Sequence, residues 1–363
     1  MLLATDALWR DGALLRNMGL EITAGRVSDI RPLGTDTPDL HAALVAPLFT
    51  DLQVNGGGGV MVNGQPNADG LRAIAAAHRR CGTGTILPTV ITDSHDVIEA
   101  AAEAALETRG EPGLAGLHIE GPHIAPERRG THDASKIRPL DEKTVTLVER
   151  LREAGLPVMI TLAPELADPA LLDRLVASKA VVSAGHTKAT AEETRAALKR
   201  GLSCFTHLYN AMPPMTSREP GVLGAALNSH AHAGIIVDGI HVSWDMVRIA
   251  LRARPAPGLT FAVSDAMATV GGPDHFTLYG QTITVRDNAL INAEGSLAGA
   301  HIDLVRTLAN LVRHVGLPLS EALAMVSDTP RKVIGLPAPA LHIGCALTDL
   351  NILTEEFDTL DIA

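Results

Sequence analysis

Short apolar runs alternate with amphipathic segments through most of this 363-residue chain, and this alternation limits the folds available to it. Helical patterns fill most of the intervals between the runs; in the first, Leu71, Ile74, Ala75 and His78 fall on one face. Repeated pairs of strand and helix predict a parallel sheet, and eight of them predict a (β/α)8 TIM-like barrel of the α/β class. The predicted strands are Leu44–Val54, Gly84–Ile91, Leu114–Ile119, Val158–Leu162, Val181–Ala184, Cys204–Leu208, Gly234–Val237 and Thr260–Val263.

The two ends of the chain have a different pattern from the middle. Residues 1–45 read as short strands joined by Gly and Pro turns, and the tail from Gly335 contains the strand-like segment Leu347–Leu353. We therefore expect a small β-sandwich domain built from residues 1–45 and 335–363, beside a barrel formed by residues 46–334.

Composition excludes several classes of function. A formal net charge of −11 and an aromatic content of 2% argue against nucleic-acid binding, which needs basic surface and stacking side chains. No apolar run reaches the length of a membrane span, so we expect no membrane partner. The N-terminal residues do not read as a signal peptide, and the three cysteines have no metal-ligand spacing. These features predict a reduced, cytoplasmic protein.

Polar residues mark the ends of the predicted strands. From the third strand to the eighth, each run ends in or leads into His, Asp or Glu: Glu120, Glu165, His186, His207, Asp238 with His241, and Asp265. The carboxyl ends of barrel strands converge on one mouth, where buried charges without counter-ions are costly. A divalent cation removes that cost, and one Glu with two His is a common set of catalytic zinc ligands.

At these residues the chain resembles the amidohydrolase superfamily and, within it, the family of N-acetylglucosamine-6-phosphate deacetylases. The similar segments follow the family order over most of the chain: Asp51–Gly56, Gly116–Pro122 leading to Arg129–His132, Ser183–His186, Thr206–Pro213 leading to Arg218–Gly221, Asp238–His241 and Val263–Ala266. The resemblance implies a hydrolase of amino-sugar metabolism that acts on carbon–nitrogen bonds other than peptides.

The resemblance implies that Glu120, His186 and His207 bind one divalent metal per subunit. Zinc is the expected metal, and iron, cobalt or manganese are also compatible with such a site. Many superfamily members hold a second metal with two histidines of the first strand. This chain has Gln53 and Asn55 at those positions, so we expect no strong second site.

Asp265 matches the catalytic acid–base of the family. The implied reaction removes the acetyl group of N-acetyl-D-glucosamine 6-phosphate as acetate. A metal-activated water gives its proton to Asp265, the hydroxide attacks the carbonyl, and Asp265 returns the proton to the departing amine. The family pattern assigns the stabilisation of the oxyanion to His132.

The resemblance also implies contacts with a phosphorylated amino-sugar substrate. Arg218 matches a phosphate-binding arginine that the neighbouring subunit provides, which implies a homodimer or a dimer-based oligomer. The expected substrate-binding residues are Thr131, His132, Asn210, Ala211, Arg218, Asp238, His241, Leu297, Ala298 and Gly299.

Several alternatives remain open from the sequence. The substrate could be the galactosamine epimer, since one hydroxyl distinguishes the two sugars, or a cyclic amide, although the missing strand-one histidines disfavour the latter. A barrel that only binds ligands is disfavoured because Glu120, His186, His207 and Asp265 are all present.

Other polar residues have two readings. Glu165 fits either a ligand-binding or a hydrogen-bonding role. His118 is a candidate for orienting Glu120, and His123 for lining the pocket. Gly56–Gly59 reads as a turn at the barrel mouth, because the Lys and Ser or Thr of a nucleotide-binding loop are absent.

Overall fold

The computed structural model of the chain describes residues 1–291, 295 and 297–360. Its strands are β1 (Leu2–Arg10), β2 (Ala13–Thr23), β3 (Arg26–Pro32), β4 (Leu40–Pro47), β5 (Phe49–Val54), β6 (Gly56–Gly57), β7 (Val60–Met61), β8 (Thr83–Ile91), β9 (Leu117–Glu120), β10 (Val158–Leu162), β11 (Val181–Ala184), β12 (Cys204–Phe205), β13 (His232–Ile235), β14 (Thr260–Ala262), β15 (His275–Leu278), β16 (Gln281–Arg286), β17 (Ala289–Ile291), β18 (Leu297–Ala300) and β19 (Leu350–Leu353).

The α-helices follow the barrel strands, as the sequence predicts. They are α1 (Ala68–Arg80), α2 (His95–Glu107), α3 (Glu142–Glu153), α4 (Pro169–Ala177), α5 (Ala191–Arg200), α6 (Gly221–Leu227), α7 (Trp244–Ala253), α8 (Leu304–Asn310), α9 (Leu319–Val326) and α10 (Asp328–Val333). Short 3-10 turns cover Pro126–Arg128, Ala134–Lys136, Pro164–Leu166 and Leu347–Asp349, and a π-helical turn covers Leu311–Val315. Among the described helices, none combines the length and apolar composition needed to cross a bilayer.

Helix starts are fixed by side chains that the sequence marks clearly. The Asp141 carboxylate accepts from the Thr144 amide at 2.9 Å, as expected for the N-cap of α3. Thr190 and Glu193 form a reciprocal capping box at the start of α5. The apolar faces of α3 and α5 pack in the clusters on the outside of the barrel, which leaves the carboxyl ends of the strands free for other side chains.

Eight parallel strands form the barrel in the order β5-β8-β9-β10-β11-β12-β13-β14. The segment after β14 closes the circle against β5, where Ala266 bridges Val54 and the Ser264 amide lies 3.2 Å from an Asp51 carboxylate oxygen. The predicted barrel is therefore confirmed. The first predicted strand, Leu44–Val54, is in fact the two strands β4 and β5. Residues 44–47 of β4 and all of β5 are buried, so one apolar run spans the boundary between two sheets.

The chain ends join in one five-stranded sheet with the order β19-β4-β1-β2-β3. β4 pairs in parallel with β1 and antiparallel with β19, so this sheet connects the N-terminal and C-terminal segments. The predicted small β domain thus consists of a single mixed sheet. Leu341 and Cys345 of the tail cover one apolar face of it, in a cluster with Leu3, Leu20 and Ile352.

A four-stranded antiparallel sheet, β15-β16-β17-β18, is inserted after the eighth barrel strand. This sheet is absent from the strands predicted above, although β15 alternates exposed and buried residues as a half-buried strand should. Phe276, Leu278 and Ile283 of this sheet pack against Ile91 and Met267 at the mouth of the barrel. The insertion therefore forms one wall of the site described next.

Candidate metal centre and active site

Three predicted metal ligands meet at the carboxyl ends of the barrel strands. Glu120 is the last residue of β9, and His186 and His207 follow β11 and β12. A Glu120 carboxylate oxygen lies 3.0 Å from His207 Nε2 and 3.3 Å from His186 Nε2, and the two imidazole nitrogens are 3.0 Å apart. All three side chains are buried, with at most 6% of any residue exposed.

These separations fit one cation held by all three residues. Ligand atoms at about 2.1 Å from a tetrahedral zinc ion are about 3.4 Å from one another. His186 Nδ1 lies 2.8 Å from the carbonyl oxygen of Arg128, which can only accept, so Nδ1 carries the hydrogen. In the neutral ring Nε2 then offers its lone pair to the centre, as metal ligation requires.

His132 is also close to this centre. Glu120, His132 and His186 each offer one ligand atom, and these atoms lie within 4.8 Å of one another. The rings of His132 and His186 are 4.4 Å apart between centroids. Four side chains are therefore close enough to be candidate metal ligands, and proximity alone does not distinguish His132 from Glu120, His186 and His207.

The backbone is strained where the reactive side chains leave the strands. His186, His207 and Asp265 have φ angles of 49°, 29° and 51°. Positive φ is uncommon for residues other than glycine and persists where the surrounding structure enforces it. The same conformation at three strand ends turns these side chains inward and is typical of functional sites.

Asp265 lies beside the centre and is held by two amides. Gln53 Nε2 donates to Asp265 Oδ1 at 3.1 Å and to Glu120 at 3.0 Å, and Asn55 Nδ2 donates to Asp265 Oδ1 at 2.7 Å. These two amides therefore present hydrogens to the carboxylates, where a histidine pair would present lone pairs.

The pKa values of the two carboxylates in the site are shifted in opposite directions. Burial, together with repulsion from Glu120, raises the pKa of Asp265 to about 6. Burial also raises the pKa of Glu120, but the imidazoles of His186 and His207 beside it outweigh burial and hold the pKa well below its usual range. Glu120 is thus a permanent anion suited to a ligand, whereas Asp265 is suited to accept and release a proton near neutral pH.

A cavity of about 160 Å³ opens above these groups. Seven of the predicted substrate contacts line it: Thr131, His132, Asn210, Ala211, His241, Leu297 and Gly299. Gly299 has a φ of 60°, and a Cβ atom there would come within 2.4 Å of the Met267 side chain. A larger residue at this position would therefore disturb the cavity wall.

The other three predicted contacts lie elsewhere. Ala298 is fully buried in the apolar cluster behind the cavity. Asp238 accepts from His241 Nδ1 at 2.6 Å and from the amides of Ile240 and His241, so it orients His241 from behind. Arg218 is exposed on the loop before α6 and is absent from the described lining of its own chain's cavity.

His132 is buried and neutral. Burial is the main cause that lowers its pKa to about 3. Its loop is fastened by Arg129, whose guanidinium donates to the His132 carbonyl at 3.1 Å. Its Nδ1 lies 2.6 Å from the hydroxyl of Thr92, the residue after β8.

Among the described residues His118 has no recorded hydrogen bond to Glu120, although both lie on β9. Its Nδ1 is 2.9 Å from the Leu52 carbonyl, and its Nε2 is 2.7 Å from the Thr161 hydroxyl. The Thr206 hydroxyl forms hydrogen bonds with the hydroxyls of Thr161 and Ser183, each with an oxygen–oxygen distance of 2.6 Å. We call these four side chains, His118, Thr161, Thr206 and Ser183, the interior chain. It lies inside the barrel beneath the metal centre.

His123 and Glu165 also lie outside the cavity lining. His123 sits between the Pro139 carbonyl at 2.9 Å and the Thr144 hydroxyl at 3.0 Å. Glu165 accepts from the Thr187 hydroxyl at 2.5 Å and the Lys188 amide at 2.8 Å. Glu165 therefore fixes the loop that follows His186.

Sequence reasoning missed the apolar part of the lining. Ile91 and Met267 line the cavity beside Gly130, yet none of them is a chemically reactive residue. A signal for Ile91 existed, because it ends the second barrel strand and pairs with Glu120. Met267 follows Asp265 by two residues, but only the inserted sheet shows that it borders the site.

Comparisons with known proteins agree with this geometry. The amidohydrolase family model matches residues 44–353. The chain is 37% identical to the N-acetylgalactosamine-6-phosphate deacetylase of Shewanella sp. (strain ANA-3), over 93% of this chain and 88% of that protein. It is 35% identical to the N-acetylglucosamine-6-phosphate deacetylase of Haemophilus influenzae, over 84% of this chain and 80% of that protein.

A solved structure extends the likeness to three dimensions. A mutant N-acetyl-D-glucosamine-6-phosphate deacetylase from Mycobacterium smegmatis, in complex with N-acetyl-D-glucosamine-6-phosphate, superimposes with a TM-score of 0.86. It is 30% identical and covers 99% of this chain and 96% of its own. The chain belongs to the amidohydrolase family, as a relative of its N-acetylglucosamine-6-phosphate deacetylases.

Proposed function

We propose that the chain hydrolyses N-acetyl-D-glucosamine 6-phosphate to D-glucosamine 6-phosphate and acetate. The observation that supports this most is the meeting of Glu120, His186 and His207 beside Asp265, in a cavity lined by seven of the ten predicted substrate contacts. The names of the relatives supply the substrate, and the geometry of the site is compatible with it.

Glu120, His186 and His207 would hold one divalent cation, with zinc as the proposed metal and iron, cobalt or manganese as alternatives. A cation held there would lower the pKa of a bound water towards about 7 and would polarise the substrate carbonyl. Two imidazoles and one carboxylate suit such an ion, and the amides of Gln53 and Asn55 are committed as donors to Asp265 and Glu120. We therefore propose one strong metal site per subunit.

The chain's own residues would move the proton and stabilise charge. Asp265 accepts a proton from the attacking water, a role that its burial favours by raising its pKa above the ordinary value, and it returns that proton to the departing amine. His132 donates a hydrogen bond to the oxyanion of the tetrahedral intermediate. His241, oriented by Asp238, and the Asn210–Ala211 segment contact the sugar phosphate.

Arg218 would bind the phosphate of the neighbouring subunit's substrate in a homodimer. A guanidinium matches a phosphate because its planar fork donates two hydrogen bonds at once. Arg218 is exposed on its loop and does not belong to the described lining of its own chain's cavity. Both facts support a role across an interface. The cytoplasmic location predicted from the sequence remains part of this proposal.

A second candidate substrate is the galactosamine epimer. The 37% identical Shewanella protein carries that activity in its name, and the two sugars differ by one hydroxyl. The glucosamine substrate remains the proposal, and competition between the two 6-phosphates would decide between them.

The test measures metal content of the purified protein together with acetate release. We expect one tightly bound metal per chain, loss of activity on chelation and its return with Zn²⁺. Both 6-phosphates and the unphosphorylated sugars should be compared, and we expect at least 100-fold higher kcat/KM on N-acetylglucosamine 6-phosphate than on the unphosphorylated sugar. Full activity of a metal-free preparation would refute the proposal.

The role of Arg218 can be tested by complementation. Chains carrying Arg218→Ala and chains carrying Asp265→Asn should each be nearly inactive alone. A mixed dimer would contain one intact site, with Asp265 from one subunit and Arg218 from the other. Co-expression should therefore restore activity. The control is Arg195→Ala, which removes an exposed arginine on α5 and should leave the activity of the chain unchanged. Failure to complement would remove the proposed exchange between subunits.

A further inference from the structure

Two neighbouring histidines of the site face different partners at Nδ1. His186 Nδ1 lies against the Arg128 carbonyl, which can only accept a hydrogen bond. His132 Nδ1 lies 2.6 Å from the Thr92 hydroxyl, which can donate. The chemical role of a neutral histidine depends on which nitrogen carries its hydrogen. The partner at Nδ1 therefore decides what Nε2 offers to the cavity.

The Thr92 hydroxyl has a defined direction. Thr92 is fully buried, and within the described part of the chain its hydroxyl has His132 as its recorded partner and no second one. If the hydroxyl donates to Nδ1, both groups are satisfied. The reverse arrangement would leave a buried hydroxyl hydrogen without an acceptor, which costs free energy. Donation to Nδ1 places the imidazole hydrogen on Nε2.

Tyr279 holds Thr92 from the inserted sheet. Tyr279 lies in the turn between β15 and β16, and its hydroxyl donates to the Thr92 carbonyl at 2.6 Å. Its φ of 50° is uncommon for a tyrosine and indicates a fixed turn. On the other side, Gly121 leaves room for the Thr92 hydroxyl, because a Cβ at Gly121 would lie 2.2 Å from it.

We infer that Thr92, held in place by Tyr279, is a positioning residue that fixes His132 with its hydrogen on Nε2. This inference rests on the proposed deacetylation, since it assigns His132 the task of donating to the oxyanion of that reaction. It also separates His132 from the metal ligands, because a nitrogen that carries a hydrogen has no free lone pair for a cation. His186, with the opposite tautomer, keeps that lone pair.

The central test compares Thr92→Val, which has nearly the same shape but no hydroxyl, with Thr92→Ser, which keeps the hydroxyl. Removal of an oxyanion donor typically costs 10²–10³-fold in kcat, and a misassigned tautomer costs part of that. We expect Thr92→Val to lower kcat on the order of 10–100-fold, with KM within about twofold and metal content unchanged. Thr92→Ser should recover to within about threefold of the natural protein. Tyr279→Phe should lower kcat in the same direction but less.

A matched control is Thr50→Val. Thr50 is also a fully buried threonine, on β5, and its hydroxyl has no partner among the described residues. Its loss should leave kcat unchanged. If Thr50→Val and Thr92→Val lose equal activity, or if Thr92→Ser fails to recover, the effect is one of packing and the inference is wrong.

Two further measurements address the tautomer itself. The first is nitrogen-15 NMR of histidine-labelled protein, in which the His132 signals are those that disappear in His132→Asn. These spectra should show Nε2 protonated in the natural protein and a mixture of the two tautomers in Thr92→Val. An N-trifluoroacetyl substrate needs less oxyanion stabilisation, so its kcat should fall less in Thr92→Val than that of the acetyl substrate. A protonated Nδ1 in the natural protein would overturn the inference. Absence of any deacetylation by the natural protein would instead refute the proposed function.

Discussion

Two polar layers lie inside the same barrel, and they differ in how their groups are satisfied. In the interior chain each side chain has its partner, and the direction of every hydrogen bond follows from one carbonyl. Leu52 accepts from His118 Nδ1, so Thr161 donates to His118 Nε2, Thr206 to Thr161 and Ser183 to Thr206. At the mouth, by contrast, Glu120, His186 and His207 crowd one point with two nitrogens only 3.0 Å apart.

The backbone conformation also differs between the interior chain and the barrel mouth. His186, His207 and Asp265 at the mouth have positive φ, whereas none of the four members of the interior chain does. We infer that the interior chain contributes mainly to stability and the residues at the barrel mouth mainly to chemistry. Substitutions in the two layers should therefore affect different measurements.

The largest effect is expected from Asp265→Asn at the mouth. The amide cannot accept the proton of the attacking water, so we expect acetate release to fall about 10³-fold or more, near the upper end for loss of a general base. Metal content and unfolding free energy should change little, because Asn keeps the shape and some hydrogen bonds. Acetate release and metal analysis check this, and a fully active variant would refute the role of Asp265.

The next effect is expected in the interior chain. His118→Leu leaves the Thr161 hydroxyl and the Leu52 carbonyl buried without their partner, and we expect a loss of about 3 kcal/mol in unfolding free energy. Urea unfolding measures it. Activity per folded, metal-loaded molecule should stay within about tenfold of the natural protein, and a loss comparable to that of Asp265→Asn would mean that the two layers are not separable.

A smaller effect is expected from acid. Burial lowers the pKa of His78, on α1, to about 4, below the ordinary value of 6.5. Above pH 6.5 both folded and unfolded states hold this ring neutral. Below it the unfolded chain gains a proton that the folded chain refuses, so stability falls as the pH falls from 6.5 to 4, by about 2 kcal/mol for this residue at pH 5.

The measurement is urea unfolding between pH 7 and 5, in the natural protein and in His78→Gln. The glutamine can still donate to the Gly56 carbonyl, which accepts from His78 at 2.9 Å, but it does not titrate. The variant should lose less stability with acid, and identical pH profiles would contradict the assigned contribution.

The smallest effect is expected from Ser183→Ala, at the donor end of the interior chain. The change removes one hydrogen bond to Thr206 but leaves the direction of all the others intact, so the cost should be about 1 kcal/mol. Urea unfolding of this variant beside His118→Leu checks the order. A greater loss for Ser183→Ala than for His118→Leu would reverse the inferred direction of the chain.

The barrel could be predicted from the sequence because apolar runs and helical spacing are local signals. The prediction of one strand over Leu44–Val54 is wrong, since a local pattern does not show which sheet a strand joins. The four-stranded insertion from His275 to Ala300 was missed for a related reason. Its antiparallel pairs depend on partners within the insertion, and its apolar face is recognisable only against Ile91 and Met267.

The reactive residues of the site were predictable because strand ends and family segments mark them. Their supporting residues were not. Thr92 and Tyr279 are 187 positions apart and look ordinary in the sequence, yet a 2.6 Å hydrogen bond links them behind His132. Asp238 was predicted to contact substrate, and its position behind His241 depends on a turn whose geometry only the fold reveals.

The pairing of β19 with β4 has a consequence for synthesis of the chain. The edge of β4 that Leu350–Leu353 covers is translated about three hundred residues before its partner. While the ribosome makes the barrel, that edge is free to pair with strands of other nascent chains. A premature stop before Leu350 would leave it permanently uncovered, so we expect such truncated products to aggregate even though every residue lining the cavity has been made.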